Sequence, residues 1–133
     1  MKFICLGYYD KSKFESLPES ERNSMFDQCF EYDEHLRAKG HSTGGEALQP
    51  AETAVTLRWK KGKVMTTDGP YAETKEQIGG LGILEARDMN HAQQLMAEHP
   101  ALKFGTIWEI RPIGDMSEIK KASEQRRRKN SSR

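Results

Sequence analysis

The sequence has 133 residues, of which 35% are apolar and 31% charged, with a net charge of +1. That length suits one domain and leaves no room for a second, and the modest apolar fraction predicts a small core with some apolar surface completed by a partner subunit. No apolar run approaches the roughly 20 residues that cross a bilayer, and Cys5 and Cys29 show neither a C-x-x-C nor a Cys/His ligand spacing, which argues against a zinc site or disulfide framework and for a reducing cytoplasm.

Residues 2–9 are nearly continuously apolar, as a strand covered on both faces would be. The run is too short for a signal peptide and lacks a small-residue cleavage site, so it reads as the first strand. Ser16-Leu17-Pro18-Glu19 has the form of a capping box with proline in the first turn, and predicts a helix from there to Gly40. Met25, Phe26, Cys29, Phe30 and Leu36, with Tyr32 at the edge, recur at helical spacing, while Asp27, Glu31, Glu34 and Arg37 take the other side.

Residues 41–49 read as a short strand interrupted by Gly44-Gly45 and stopped by Pro50. Val55, Leu57 and Trp59 then alternate with Thr56, Arg58 and Lys60, and Lys61-Gly62 turns the chain into a second extended run, 63–67, which predicts a β-hairpin. After the Asp68-Gly69-Pro70 breaker, residues 79–86 resume as a strand. Asp88 can cap a second helix whose buried stripe is Met89, Ala92, Leu95 and Met96, and His99-Pro100 stops it. Residues 106–112 form the last strand. Residues 120–133 carry seven Lys/Arg against Glu124 alone, a charge of +6 that leaves −5 for the rest of the chain. The segment 114–133 is therefore expected to be a disordered basic tail on a domain spanning 1–113. With no aromatic residue interleaved to stack on bases, it reads as a solvated end, and nucleic-acid binding is not expected.

The order β, α, β, hairpin, β, α, β is the ferredoxin-like α+β pattern, an antiparallel sheet with two helices on one face. The other face is expected to carry Ile83, Trp108 and Ile110 among Glu85, Glu109 and Arg111. Such a mixed face suits a homodimer in which two sheets meet around a cavity.

The segment Asp68-Gly69-Pro70-Tyr71-Ala72-Glu73-Thr74-Lys75-Glu76 holds the densest set of proton donors and acceptors. Asp68 can accept backbone N–H bonds in an Asx-turn, Gly69 can take positive φ and Pro70 fixes the exit, so a carboxylate would be held in one orientation at the end of a strand. This segment resembles the D-G-P-F-x-E-T-K-E signature of the DGPF branch of the YCII-related domain family, with Tyr71 in place of phenylalanine. Gly45-Glu46-Ala47-Leu48-Gln49-Pro50 is similar to the G-E-x-L-x-P segment before the hairpin, Gly79-Gly80 to the glycine pair after it, and Ile110-Arg111-Pro112-Ile113 to the closing strand. The resemblance implies a bacterial, dimeric α+β barrel; no cofactor is expected. A His/Asp pair proposed for the wider family is not carried over: the early helix offers Arg22, Asn23 and Asp27, and His99 stands before Pro100 where an aspartate is expected.

From these residues the expected function is the binding of a small organic molecule, either by a simple binder or by a cofactor-free acid/base enzyme of isomerase or lyase type. Asp68 and Glu46 are the candidate catalytic carboxylates, since two carboxylates in a partly closed cavity push one pKa upward. His41, at the start of the strand leading to Glu46, is the histidine best placed to join them. Lys75 and Arg111 are the anion clamps, and Tyr71 and Glu73 complete the substrate-facing set. No metal is expected: His35 and Glu31 are spaced i, i+4 on a helix, but no second ligand pair closes a coordination shell. The resemblance also implies an alternative, a non-enzymatic accessory protein of a sigma-factor system that binds a partner through its tail.

Overall fold

The computed structural model describes residues 1–131; Ser132 and Arg133, the end of the basic tail, lie outside the described residues. The chain runs β1 (Lys2–Asp10), α1 (Lys11–Ser16), α2 (Glu19–Ala38), β2 (Ser42–Ala47), β3 (Val55–Lys60), β4 (Lys63–Asp68), β5 (Glu76–Glu85), α3 (Met89–Ala97), β6 (Ile107–Pro112) and α4 (Ser117–Ser131). The main sheet has the order β2-β5-β1-β6 with every pair antiparallel. Leaving out the β3-β4 ribbon, this is the ferredoxin-like arrangement expected from the element order.

Register decides which side chains share a face. Phe3, Cys5, Leu84 and Ile110 face α2 and α3, where Leu36, Ala92 and Met96 close a small core around the fully buried Phe3. Trp108 and Ile110, expected on the uncovered face, belong to this helix-covered side and pack against the core. The opposite face carries a half-buried apolar strip, Ile4, Leu6, Leu81 and Ile83, in cross-strand pairs. Edge residues flank that strip: Glu46 on β2 beside Leu81, and Glu109 and Arg111 on β6 beside Leu6 and Ile4.

The β3-β4 ribbon is a sheet of its own. Its turn uses Lys61 at φ 52° and Gly62 at φ 78°, the left-handed pair that suits the twist of a two-residue hairpin. Val55, Leu57, Trp59 and Val64 lie on one of its faces and are all exposed.

Several local expectations are corrected. The capping box at Ser16 does not form: Ser16 Oγ donates to Lys13 O, and α2 starts after Pro18 with no side-chain cap. Ahead of it stands α1, not read from sequence, whose cap is Asp10. Along α2 only Leu36 is fully buried; Phe26 and Phe30 are exposed and continue a run of ring contacts, Tyr9–Phe14–Phe26–Phe30, at 5.9 to 6.1 Å. β5 begins three residues before Gly79, because pairing with β1 runs on to Asp10 opposite Glu76. Within the described residues the tail is helical over Ser117–Ser131, where disorder is expected from its composition. Its Lys, Arg, Glu, Gln and Ala are good helix formers, and Asp115 accepts from Ser117 N at the entry (2.9 Å), although α4 buries no residue.

Among the described residues Phe3 is the one large side chain that is completely enclosed. Phe3→Ala should lower the unfolding free energy in urea by about 3–5 kcal/mol, the usual cost of an aromatic-sized core vacancy. A loss under 1 kcal/mol would show that the core lies elsewhere.

Candidate functional site

The signature segment leaves the ribbon and re-enters the main sheet. Asp68 ends β4 opposite Val55, and main-chain bonds hold the turn that follows: Gly69 N donates to Ala54 O (2.7 Å) and Thr56 Oγ1 donates to Gly69 O (2.8 Å). Gly69 sits at φ 101°, which favours glycine. The Asp68 carboxylate takes no hydrogen bond among the described residues and is exposed, so the expected Asx-turn is replaced by this cross-strand tie. Tyr71 is 77% exposed, with the Arg58 guanidinium 5.7 Å from its ring centre. Glu73 is exposed.

The second half of the segment is better anchored. Thr74 Oγ1 donates to Glu76 O (2.6 Å), and Gln77 Nε2 reaches back to Ala72 O (2.8 Å) and Thr74 O (3.1 Å). Lys75 Nζ lies 3.7 Å from Asp10 Oδ2. Here the chain lines a cavity of about 150 Å³ with Tyr9, Lys11, Ala51, Glu52, Thr74, Lys75 and Gln77. Lys11 pairs with Glu52 across its wall; that contact holds the Glu52 carboxyl below its ordinary value and raises the Lys11 ammonium.

The position of Tyr9 explains the glycine pair. The β1-β5 register slips by one residue between Gly7 and Tyr8, which pair with Gly80 and Ile78 and leave Gly79 as the extra residue of a bulge. A Cβ at Gly79 would lie 2.6 Å from the Tyr9 ring, so the ring rests directly on the bare backbone.

The other expected residues stand apart from this cavity. Glu46 is on β2, in the main sheet, while Asp68 belongs to the separate ribbon, and neither lines the cavity. Arg111 pairs with Glu109 (3.5 Å) on the uncovered sheet face, where Tyr8 Oη also donates to Glu109 (3.3 Å). Loss of water around the Tyr8 ring, with Glu109 beside it, pushes the phenol up and keeps it a donor. His41 Nδ1 meets Glu85 O (3.1 Å), and its ring stands edge-on to His91, centroids 5.2 Å apart. Among the described residues no group of three or more His, Cys, Asp or Glu is gathered as for a metal ion.

Two residues carry more of the structure than the sequence suggested. His99, read as a helix end, is 7% exposed: Nδ1 accepts from Ala101 N (3.2 Å), which leaves Nε2–H to donate to Asp33 Oδ1 (3.3 Å), and the ring packs against Tyr32 and Trp108. Asp10 was missed as well. Its available signal was an aspartate ending an apolar strand just before Lys11-Ser12-Lys13, a helix-start pattern. Both thiols are raised to about 11, Cys5 by burial and Cys29 by burial and the nearby Asp33, so neither is a thiolate near neutral pH.

The YCII-related domain pattern matches residues 1–117. The chain belongs to the YCII-related domain family. An uncharacterized protein of Rhizobium meliloti (strain 1021) is 33% identical over 67 residues, covering 50% of this chain and 54% of the relative, so the chain spans about half the length of that curated relative. Among solved structures, 5-chloro-2-hydroxyhydroquinone dehydrochlorinase from Burkholderia phenoliruptrix AC1100, in complex with 2,5-dihydroxybenzoquinone, aligns with a TM-score of 0.52 at 16% identity. The alignment covers 86% of this chain and 94% of that one, and at this identity it shows a shared fold alone. The family match reaches Ser117, so the regions expected from the resemblance all lie inside it and α4 lies beyond it from its second residue on.

Two outcomes test this geometry. Burial first, then the Arg87 and His41 charges, lower the His91 pKa from 6.5. A folded value below the unfolded one means that the unfolded chain takes up the proton first, so stability linked to His91 is present above pH 6.5 and is lost as pH falls through the folded value. NMR should show His91 titrating below 6.5 and moving upward in His41→Gln; a normal, unmoved value would dissolve the pair. Gly79→Ala should displace Tyr9, seen as altered aromatic cross-peaks for Tyr9 while Phe3 signals stay put.

Proposed function

We propose that the protein is a homodimer that binds a small organic molecule in the cavity beside Lys75. The observation that supports this most directly is the cavity itself, where residues of the signature segment, Thr74 and Lys75, meet the end of β1 at Tyr9 and Lys11. Of the residues expected from the motif, Lys75 is the one that lines it and therefore takes the anion-holding role. Convergent polar groups are what fix a ligand's orientation in a pocket. The dehydrochlorinase that shares the fold was solved with a small quinone bound, which supports a small molecule as the ligand class here.

Dimerisation is supported by apolar surface left open in a single chain: the strip Ile4, Leu6, Leu81 and Ile83, and the ribbon face Val55, Leu57, Trp59 and Val64. A two-stranded ribbon alone is marginal in water, and exposed apolar patches of this kind mark interfaces. In this reading Glu46, Arg111 and His41 belong to the sheet side of the assembly, and Asp68, Tyr71 and Glu73 to the ribbon side. A second reading, an accessory protein that contacts an acidic partner, is favoured by α4, a basic helix with no buried residue.

A thermal-shift panel of lactones, phenols and small acids should yield a ligand, since one present at 100 times its Kd stabilises by about 2.7 kcal/mol. Lys75→Met should remove that shift; a shift that survives the substitution would place the ligand elsewhere. Light scattering should give twice the chain mass of 15.2 kDa, and Leu6→Glu in the centre of the open strip should halve it. A wild-type monomer would refute the dimer. Partner capture lost on removing residues 114–133, with no ligand found, would favour the second reading.

A further inference from the structure

Helix α4 is built unlike the rest of the molecule. Among the described residues, the last main-chain bond that ties the chain to the sheet ahead of it is Ile113 N to Lys2 O (2.9 Å). α4 then runs for 15 residues, roughly 22 Å, and buries none of them. Along it six Lys/Arg stand against Glu118 and Glu124, and all six are exposed. Among the described residues no carboxylate lies within ion-pair distance of Lys120, Lys121, Arg126, Arg127 or Arg128. Residues 120–133 carry +6 and the remainder of the chain −5, so the net positive charge is gathered at this one end.

How these cations are spread around the helix separates the partners they fit. Successive residues of an α-helix stand about 100° apart around its axis. The run Arg126-Arg127-Arg128-Lys129 therefore places a cation on every side, with Arg126 and Arg128 on nearly opposite sides. A flat acidic protein surface touches one side of a helix and would leave about half of these charges in water. A membrane surface needs an apolar face to take up, and Ile119 is the one large apolar side chain of α4. A groove walled by phosphates on both sides uses all of the charges. The major groove of B-form DNA, about 12 Å wide, admits an α-helix, whereas that of A-form RNA is too narrow. Arginine suits the walls of such a groove, because its planar fork meets phosphate oxygens bidentately. The lack of interleaved aromatic residues weighs against single strands, which are bound by stacking, and not against a duplex, whose bases already stack on one another.

We infer that α4 binds double-stranded DNA by lying in its major groove, with Arg126 and Arg128 on the phosphates of opposite strands. Contacts to phosphate carry no sequence information, so binding does not depend on the base sequence. The rest of the chain, at −5, is repelled by the same phosphates, which leaves α4 as the point of attachment. This inference goes beyond both readings above and does not depend on a ligand in the cavity beside Lys75.

The test is fluorescence anisotropy of the full chain with a labelled duplex of about 20 base pairs over a salt series. The logarithm of the binding constant should fall against the logarithm of salt with a slope of about −3 to −5, for about four or five phosphate contacts at roughly −0.9 each. Two duplexes of unrelated sequence should bind alike. Either should bind at least tenfold more tightly than a single strand, duplex RNA, labelled poly-glutamate or phosphatidylserine vesicles at equal ionic strength. Arg126→Gln and Arg128→Gln keep a good helix former at each position, and each should make the slope shallower by about 0.9. A helix held from one side would lose slope in only one of the two variants. That result, any other polyanion binding as tightly as the duplex, or no duplex binding at about 50 mM salt, overturns the inference. The wild-type comparison among the polyanions decides the matter even if a variant loses helix by circular dichroism.

Discussion

β1 is hydrogen-bonded along both edges, to β5 and to β6, and this double pairing places everything else. One of its faces carries Phe3 and Cys5 into the core under α2 and α3, the other presents Ile4 and Leu6 to the uncovered side, and its last residue is Asp10. A one-residue slip in either ladder would exchange the two faces. The slip that does occur is confined to Gly79, where it re-aims the end of the strand without disturbing the paired residues before it. The core and the cavity are thus the two ends of one strand.

The cavity arises where three pieces of chain with different anchors converge. The end of β1 is fixed by its pairing, the loop before β5 by Gln77 and Thr74, and the Ala51–Thr53 turn by Thr53 Oγ1 donating to Pro50 O (2.7 Å) and by the Lys11–Glu52 pair. Side chains placed in this way need little rearrangement to receive a ligand, which is what preorganisation means energetically.

Most of the fold could be read from the sequence because its signals are local. The hairpin announced itself through alternation and Lys61-Gly62, and α3 through Asp88, which does accept from His91 N at 2.8 Å. What escaped notice depends on non-local geometry. The six residues of α1 are too few for a periodic pattern, and Ser16 mimicked a cap while the working cap stood at Asp10. His99 carries no local sign that Asp33, 66 positions earlier, will hold it in the interior. At the candidate site the motif runs through the loop whose Thr74 and Lys75 line the cavity. The expected meeting of Asp68 with Glu46 required the ribbon to fold back onto β2, whereas the two residues lie in different sheets.

The independence of that ribbon has a consequence for how the molecule breathes. β3 and β4 hydrogen-bond to each other and not to the main sheet, so their opening costs none of the ladder that surrounds Phe3. Separately hydrogen-bonded units of this kind belong at the low end of the local-stability scale. Substitutions between residues 55 and 68 therefore leave the ladder around Phe3 intact and act on whatever the ribbon touches.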